Sequence, residues 1–170
     1  MRRSAEVAAG PVVGGQNGPV RVSARSDYAI RAAVELAVSA GGPVKGDRIA
    51  QAQGIPIKFL ENILTDLRRA GIVRSQRGAD GGYWLAHPAE EVSLADVIRA
   101  VDGPLASVRG VRPDEITYEG TAAPLREVWV ALRASIRAVL EVVTLADIAR
   151  GDLPDAVASL VEGADAWAQH

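Results

Sequence analysis

Around Gly71 the hydrophobic period of the chain changes abruptly. Before it, Leu60, Ile63, Leu64 and Leu67 recur at i, i+3, i+4 and i+7, the stripe of a helix that buries one side. After it, residues 72–76 and 83–86 read as strands closed by Arg77-Gly78-Ala79-Asp80-Gly81-Gly82, in which Asp-Gly is a favoured tight-turn pair. The glycines also let backbone approach a ligand closely. A helix that stops at a glycine and passes straight into a hairpin must share one surface with it. Duplex DNA asks for that combination, because a helix fits the major groove and an arginine-tipped hairpin reaches phosphate or the minor groove.

The flanking segments extend the pattern. From Ser26 a helix is expected, with Tyr28, Ala29, Ala32, Ala33, Leu36 and Ala37 on one side, ended by Gly41-Gly42-Pro43. A short second helix spans about residues 47–53, Gly54 stops it, and Pro56 suits the first turn of the third. Two helices across a tight glycine turn make a helix-turn-helix, and the hairpin adds its wing. Ser93, with Asp96 three residues on, opens a fourth helix carrying Leu94, Val97, Ile98 and Val101, which Asp102-Gly103-Pro104 terminates.

Residues 104–123 have no period and form a long loop, read as functional or disordered. Pro124 then starts a helix expected to run unbroken to about Ala149, a rod of about 37 Å. Its apolar face includes Val128, Trp129, Leu132, Ile136, Val139, Leu140 and Val143. Such a rod outreaches the small head, so these residues are assigned to a homodimer interface, against the alternative of a rod folded back on its own domain. The fold expected is mainly α with a small β-hairpin: a winged helix-turn-helix over residues 21–90, a connecting helix and sensor loop over 91–123, and a dimerisation helix over 124–150. A disordered extension is expected at residues 1–20, and a tail at 151–170 holds at most a last short helix.

Charge supports a divided surface. Residues 21–85 carry ten Lys/Arg against six Asp/Glu, and residues 86–170 carry seven against fourteen. The basic half suits a polyanion. The chain has no cysteine, which excludes disulfides, thiolate-held iron–sulfur clusters and thiol redox sensing within it. No run approaches a membrane span, and a cytoplasmic protein is expected. There is no phosphate-binding Gly-Lys-Ser/Thr loop, no dinucleotide fingerprint after a strand and no partnered nucleophile, so the chain reads as no enzyme and calls for no cofactor or resident metal.

The chemistry of the candidate residues follows from their types. Arg77 on a glycine hairpin keeps a weakly hydrated, permanent charge suited to a narrow minor groove. Ile57, Lys58, Asn62 and Thr65 lie on the exposed side of the third helix, where Asn pairs bidentately with adenine. Glu61 either accepts from cytosine N4 or bridges to Lys58 or Arg68. Lys45, Arg68, Arg69 and Arg74 are read as phosphate or solvent contacts, which add affinity without sequence information. Asp114, Glu115 and Glu119 are three acids on one loop, read as solvated rather than as a hard-cation site.

Together, Arg-Val-Ser-Ala-Arg-Ser-Asp-Tyr-Ala-Ile-Arg-Ala from Arg21, Lys-Phe-Leu-Glu-Asn-Ile-Leu from Lys58, Leu-Arg-Arg-Ala-Gly-Ile-Val from Leu67, Arg-Gly-Ala-Asp-Gly-Gly-Tyr-Trp-Leu-Ala from Arg77 and Thr-Leu-Ala-Asp-Ile from Thr144 resemble the Rrf2 family of bacterial transcription regulators. The resemblance implies dimeric winged-helix proteins whose long C-terminal helices cross between subunits. It implies that Glu61 and its neighbours face base edges, that Arg77 and Gly78 enter the minor groove, and that Arg25 and Tyr28 meet phosphate. Ala79 and Asp80 depart from the Pro-Gly often found in the turn. The larger departure lies at about Val111, Thr117 and Ala123, where many members place three cluster-binding cysteines. Sensing by another route is therefore expected, through a small-molecule or protein effector at Val111, Asp114, Glu115, Thr117, Glu119 and Ala123. A partner enzyme, as in cysteine and sulfur metabolism, is one such route. A winged helix that contacts protein rather than DNA is the competing function.

Overall fold

In a computed structural model the described residues are 22–39 and 42–168, so the extension expected at residues 1–20 lies outside them. Helix α1 (Ala24–Val38) begins where Ser23 accepts the Ser26 amide on its hydroxyl at 2.9 Å. Its buried residues include Ala29, Ala32, Ala33 and Leu36, and the three alanines let neighbouring helices approach closely. Helix α2 (Gly46–Gln53) ends at Gly54, whose φ of 61° only glycine adopts without strain. Helix α3 (Ile57–Arg69) then presses Leu60, Ile63, Leu64 and Leu67 into the core, each almost wholly removed from water. Burial of such a side chain stabilises by about 2 kcal/mol.

Strands β1 (Val73–Gln76) and β2 (Gly82–Leu85) pair antiparallel, with Val73 opposite Leu85 and Gln76 opposite Gly82. Val44 adds a third rail, exchanging two 2.8 Å backbone hydrogen bonds with Tyr83. A Cβ on Gly82 would stand 2.6 Å from the Val44 carbonyl oxygen, and one on Gly81 would stand 2.2 Å from that of Gln76. The close approach that these two glycines permit is thus to the wing's own backbone.

Helix α4 (Leu94–Asp102) starts with the expected Ser93–Asp96 capping box. Its last residue, Asp102, reaches back to α1, accepting the Ser23 hydroxyl and the buried Ser26 hydroxyl, the latter at 2.6 Å. The following loop is folded. Leu105, Pro113 and Ile116 are buried, single turns form at Pro113–Glu115 and Gly120–Ala122, and Val108 pairs with Val111.

The unbroken rod to Ala149 is not present. Helix α5 (Leu125–Leu140) has 16 residues, about 24 Å, and a separate helix α6 (Leu145–Arg150) follows. The break is written at Thr144, which forms a second capping box with Asp147. The intervening backbone pairs with the chain before α4: Leu94 donates to Val143 and Leu145 to Val92, both at 2.9 Å. Apolar periodicity continued across the break because α6 buries Leu145 and Ala146 while packing against α1. Val143, assigned above to a dimer interface, is buried within its own chain. Helix α7 (Asp155–Val161) and a turn at Ala164–Trp167 complete the tail, where the Trp167 indole donates to the Val161 carbonyl at 2.7 Å.

Candidate nucleic-acid interface

Because Leu60, Ile63, Leu64 and Leu67 fix one side of α3 to the core, the other side must face outward. There the structure places Ile57, Lys58, Phe59, Glu61, Asn62 and Arg68, all exposed. Arg74 on β1 and Arg77 at the wing are exposed as well. Among the described residues no carboxylate lies within salt-bridge distance of Lys58, Arg68, Arg74 or Arg77. Arg68 makes one loose contact, 3.5 Å to the Ser75 hydroxyl. Glu61 bridges to neither Lys58 nor Arg68, which leaves its carboxylate available.

Other expected contacts are engaged at home. The Arg25 guanidinium is paired with Asp66 of α3, which also holds Arg69 at 3.5 Å. This pair ties α1 to α3. Lys45 donates its ammonium to the carbonyls of Gly78, at 3.0 Å, and Ala79, so it fastens the wing tip. Thr65 donates to the Glu61 carbonyl at 2.8 Å, a bond within its own helix. The ring of Tyr28 packs against the edge of the core with the Arg31 guanidinium 5.6 Å from its centre.

Sequence reading missed Phe59, the chain's single phenylalanine, which is 60 % exposed on the first turn of α3. An aromatic in a polar stretch, one residue out of step with the buried stripe, was the available signal. With Ile57 it gives the helix an apolar edge of the kind that meets thymine methyl groups.

The effector-loop residues divide similarly. Asp114 is an anchor: its carboxylate accepts Arg112 at 2.7 Å and Arg133 at 2.9 Å, and its carbonyl accepts Arg126 at 3.0 Å. The Arg112 hydrogen bond is the main reason its carboxyl sits below the usual range. Glu115 lies 3.7 Å from Arg112. Val111, Thr117, Glu119 and Ala123 are exposed.

Of the residues assigned to the dimer interface, Ile136 and Leu140 pack against Ala95, Ile98 and Leu105, and Trp129 donates its indole N–H to the Tyr118 hydroxyl at 3.1 Å. Leu132 and Val139 are half-buried. Val128 is 55 % exposed and shares one side of α5 with the exposed Leu125, while Val130 is exposed on the other side.

Residues 22–151 match the Rrf2 family, described as an iron-dependent transcriptional regulator. The Mycobacterium tuberculosis protein Rv1287, whose name places it among HTH-type transcriptional regulators, is 54% identical over 144 residues, covering 84% of this chain and 89% of that one. The regulator CymR of Bacillus subtilis is 33% identical over 131 residues, covering 76% and 90%. Among solved structures, CymR, the global cysteine regulator of B. subtilis, superposes with a TM-score of 0.67, covering 78% of this chain and 98% of that one. T. potens IscR gives 0.63 at 33% identity, covering 77% and 87%.

The iron in that family description does not fit these residues. Val111, Thr117 and Ala123 offer no thiolate or imidazole, and the described residues gather no group of three His, Cys, Asp or Glu side chains able to hold a metal. What agrees is the reading head: a helix-turn-helix with a basic wing, over the span in which these relatives align. The chain belongs to the Rrf2 family of transcriptional regulators, not to the enzymes.

Proposed function

We infer that the chain is a homodimeric repressor that places α3 of each protomer in successive major grooves and Arg77 in the flanking minor groove. The observation that carries this reading is the uncompensated cationic rim of Lys58, Arg68, Arg74 and Arg77 around the polar face of α3. Lys58 and Arg74 contact phosphate, Asn62 and Glu61 read base edges, and Arg77 reads groove width. Two such heads fit half-sites about 34 Å apart. Dimerisation is supported by α5, a helix of 16 residues with none buried. Repression follows from occupancy of a promoter, and the signal enters through the 103–123 loop without a thiolate-held cluster. Expression in a cytoplasm accords with the described helices, none of which is long and apolar enough to cross a membrane.

Fluorescence anisotropy with the DNA upstream of its own gene, at two salt concentrations and beside Arg77→Ala, tests the reading. Tight binding that weakens with salt and drops about tenfold or more in the variant is expected. Equal affinity for random and upstream DNA would instead favour a winged helix that contacts protein. Run-off transcription from the same fragment should fall as protein is added; a rise would make the chain an activator.

A further inference from the structure

A cavity of about 300 Å³ opens between the C-terminal end of α4, the loop that follows and the middle of α5. Every charged side chain that lines it is an arginine: Arg99, Arg112, Arg133 and Arg137, over a floor formed by Gly103 and Leu105. None belongs to the helix-turn-helix or the wing. Four guanidiniums would ordinarily repel one another out of a shared concavity, so the way they are held is informative. Asp114 grips Arg112 and Arg133, and Glu141 grips Arg99 and, at 2.9 Å, Arg137. These carboxylates are not among the lining residues, so they orient the arginines while leaving their remaining N–H groups for the cavity. One donor is conspicuous. The Nε of Arg133 is buried and, among the described residues, has no acceptor. Sealed from water in this arrangement, that nitrogen would gain an acceptor only if the side chains around it moved.

We propose that this cavity binds a small oxyanion carrying at least two negative charges on phosphate or carboxylate groups, and that it is the ligand site of the 103–123 loop. Guanidinium forks match both groups bidentately, which the ammonium of lysine cannot do, and arginine supplies every charged side chain that lines the cavity. The volume equals that of about ten water molecules, room for a small metabolite. Because Arg112 and Asp114 are loop residues while Arg133 and Arg137 are on α5, a bound anion cross-links the loop to that helix. Its role as an effector rests on the regulator reading above; the binding itself does not.

Isothermal titration of the full chain with pyrophosphate and with citrate, at fixed ionic strength in chloride buffer, tests it. Saturable submillimolar binding of one of them is expected, and which one binds separates a phosphate from a carboxylate ligand. Arg112→Gln and Arg137→Gln should each weaken it at least tenfold, while Arg77→Gln leaves it unchanged. No saturation with either anion at millimolar concentration overturns the proposal, as does binding that is lost in Arg77→Gln and kept in Arg137→Gln, since the DNA face would then be the binder. If a variant fails to fold, the arginine Nε–Hε resonances of the parent protein decide. A shift of Arg133 on titration supports the site, and a shift confined to the wing arginines removes it. DNA binding is measured separately, so loss of one reading leaves the other standing.

Discussion

Lys45 and Arg77 both bring a cation to the wing, but the Lys45 ammonium is consumed by the carbonyls of Gly78 and Ala79 whereas Arg77 has no partner carboxylate. Their loss should therefore be distinguishable by salt. Arg77→Ala is expected to reduce the slope of log affinity against log salt by about one, and Lys45→Met to lower affinity through a displaced wing with the slope nearly unchanged. Equal slope changes would return Lys45 to the phosphate contacts. Phe59 offers a second test at this scale. Because it is largely exposed, Phe59→Ala should move stability by no more than about 0.5 kcal/mol while weakening DNA binding several-fold. A melting curve and an anisotropy titration on the same sample check both halves. The sequence revealed which residues stand on the outward side of α3, since the spacing of the buried leucines fixes it. It did not reveal that Arg25 would be taken by Asp66, 41 positions away, because pairing depends on how α1 crosses α3.

At the level of elements, the helix-turn-helix and hairpin were legible because each is bounded by local chemistry: Gly54, Gly71 and the Ser93–Asp96 box. The break between α5 and α6 was equally local, in Thr144 and Asp147, but an unbroken apolar stripe masked it. Thr144→Ala is expected to cost about 1 kcal/mol, seen as a lowered denaturant midpoint with an unchanged m-value. The loop after α4 was opaque, since its order comes from Leu105, Pro113 and Ile116 packing on distant elements. Three carboxyls report on this region. Arg112 depresses Asp114, Arg137 and then Arg99 depress Glu141, and the Thr144 amide and hydroxyl depress Asp147. A depressed value in the folded state contributes stability that is fully present above the ordinary values of 3.8 and 4.5 and is lost as pH falls through the folded ones. The melting temperature should thus hold from neutral pH to about pH 5 and decline modestly below about pH 4, because these carboxylates are screened by solvent. In Glu141→Gln the deficit relative to the parent should shrink as pH is lowered through that window; a deficit independent of pH would mean that the contribution of Glu141 is not its charge.

For the molecule as a whole, the sequence divided basic from acidic halves and the structure gives each a different task. The basic half is the head. The acidic half uses Asp114, Glu141 and Asp147 to hold arginines in place. Of the residues assigned from periodicity to a dimer interface, Ile136, Leu140 and Val143 serve the chain's own core. Leu125 and Val128 remain exposed on one side of α5, so on the dimer proposal Val128→Glu is expected to shift the mass measured by light scattering from dimer to monomer and to weaken operator binding far more than any single phosphate contact. Retention of the dimer would move the interface elsewhere on the chain.

Asp102 has a position whose meaning emerges only when the contacts are followed in order. It is the last residue of α4 and the neighbour of Gly103, which floors the arginine cavity. It receives the hydroxyls of Ser23 and Ser26, at the root of α1, and Arg25 between them grips Asp66 on α3. Polar contacts therefore tie the first turn of α1 both to the end of α4, beside the cavity, and to α3. The start of α1 is thus a joint clamped from two sides, and without the Asp102 carboxylate the buried Ser26 hydroxyl would lose its acceptor.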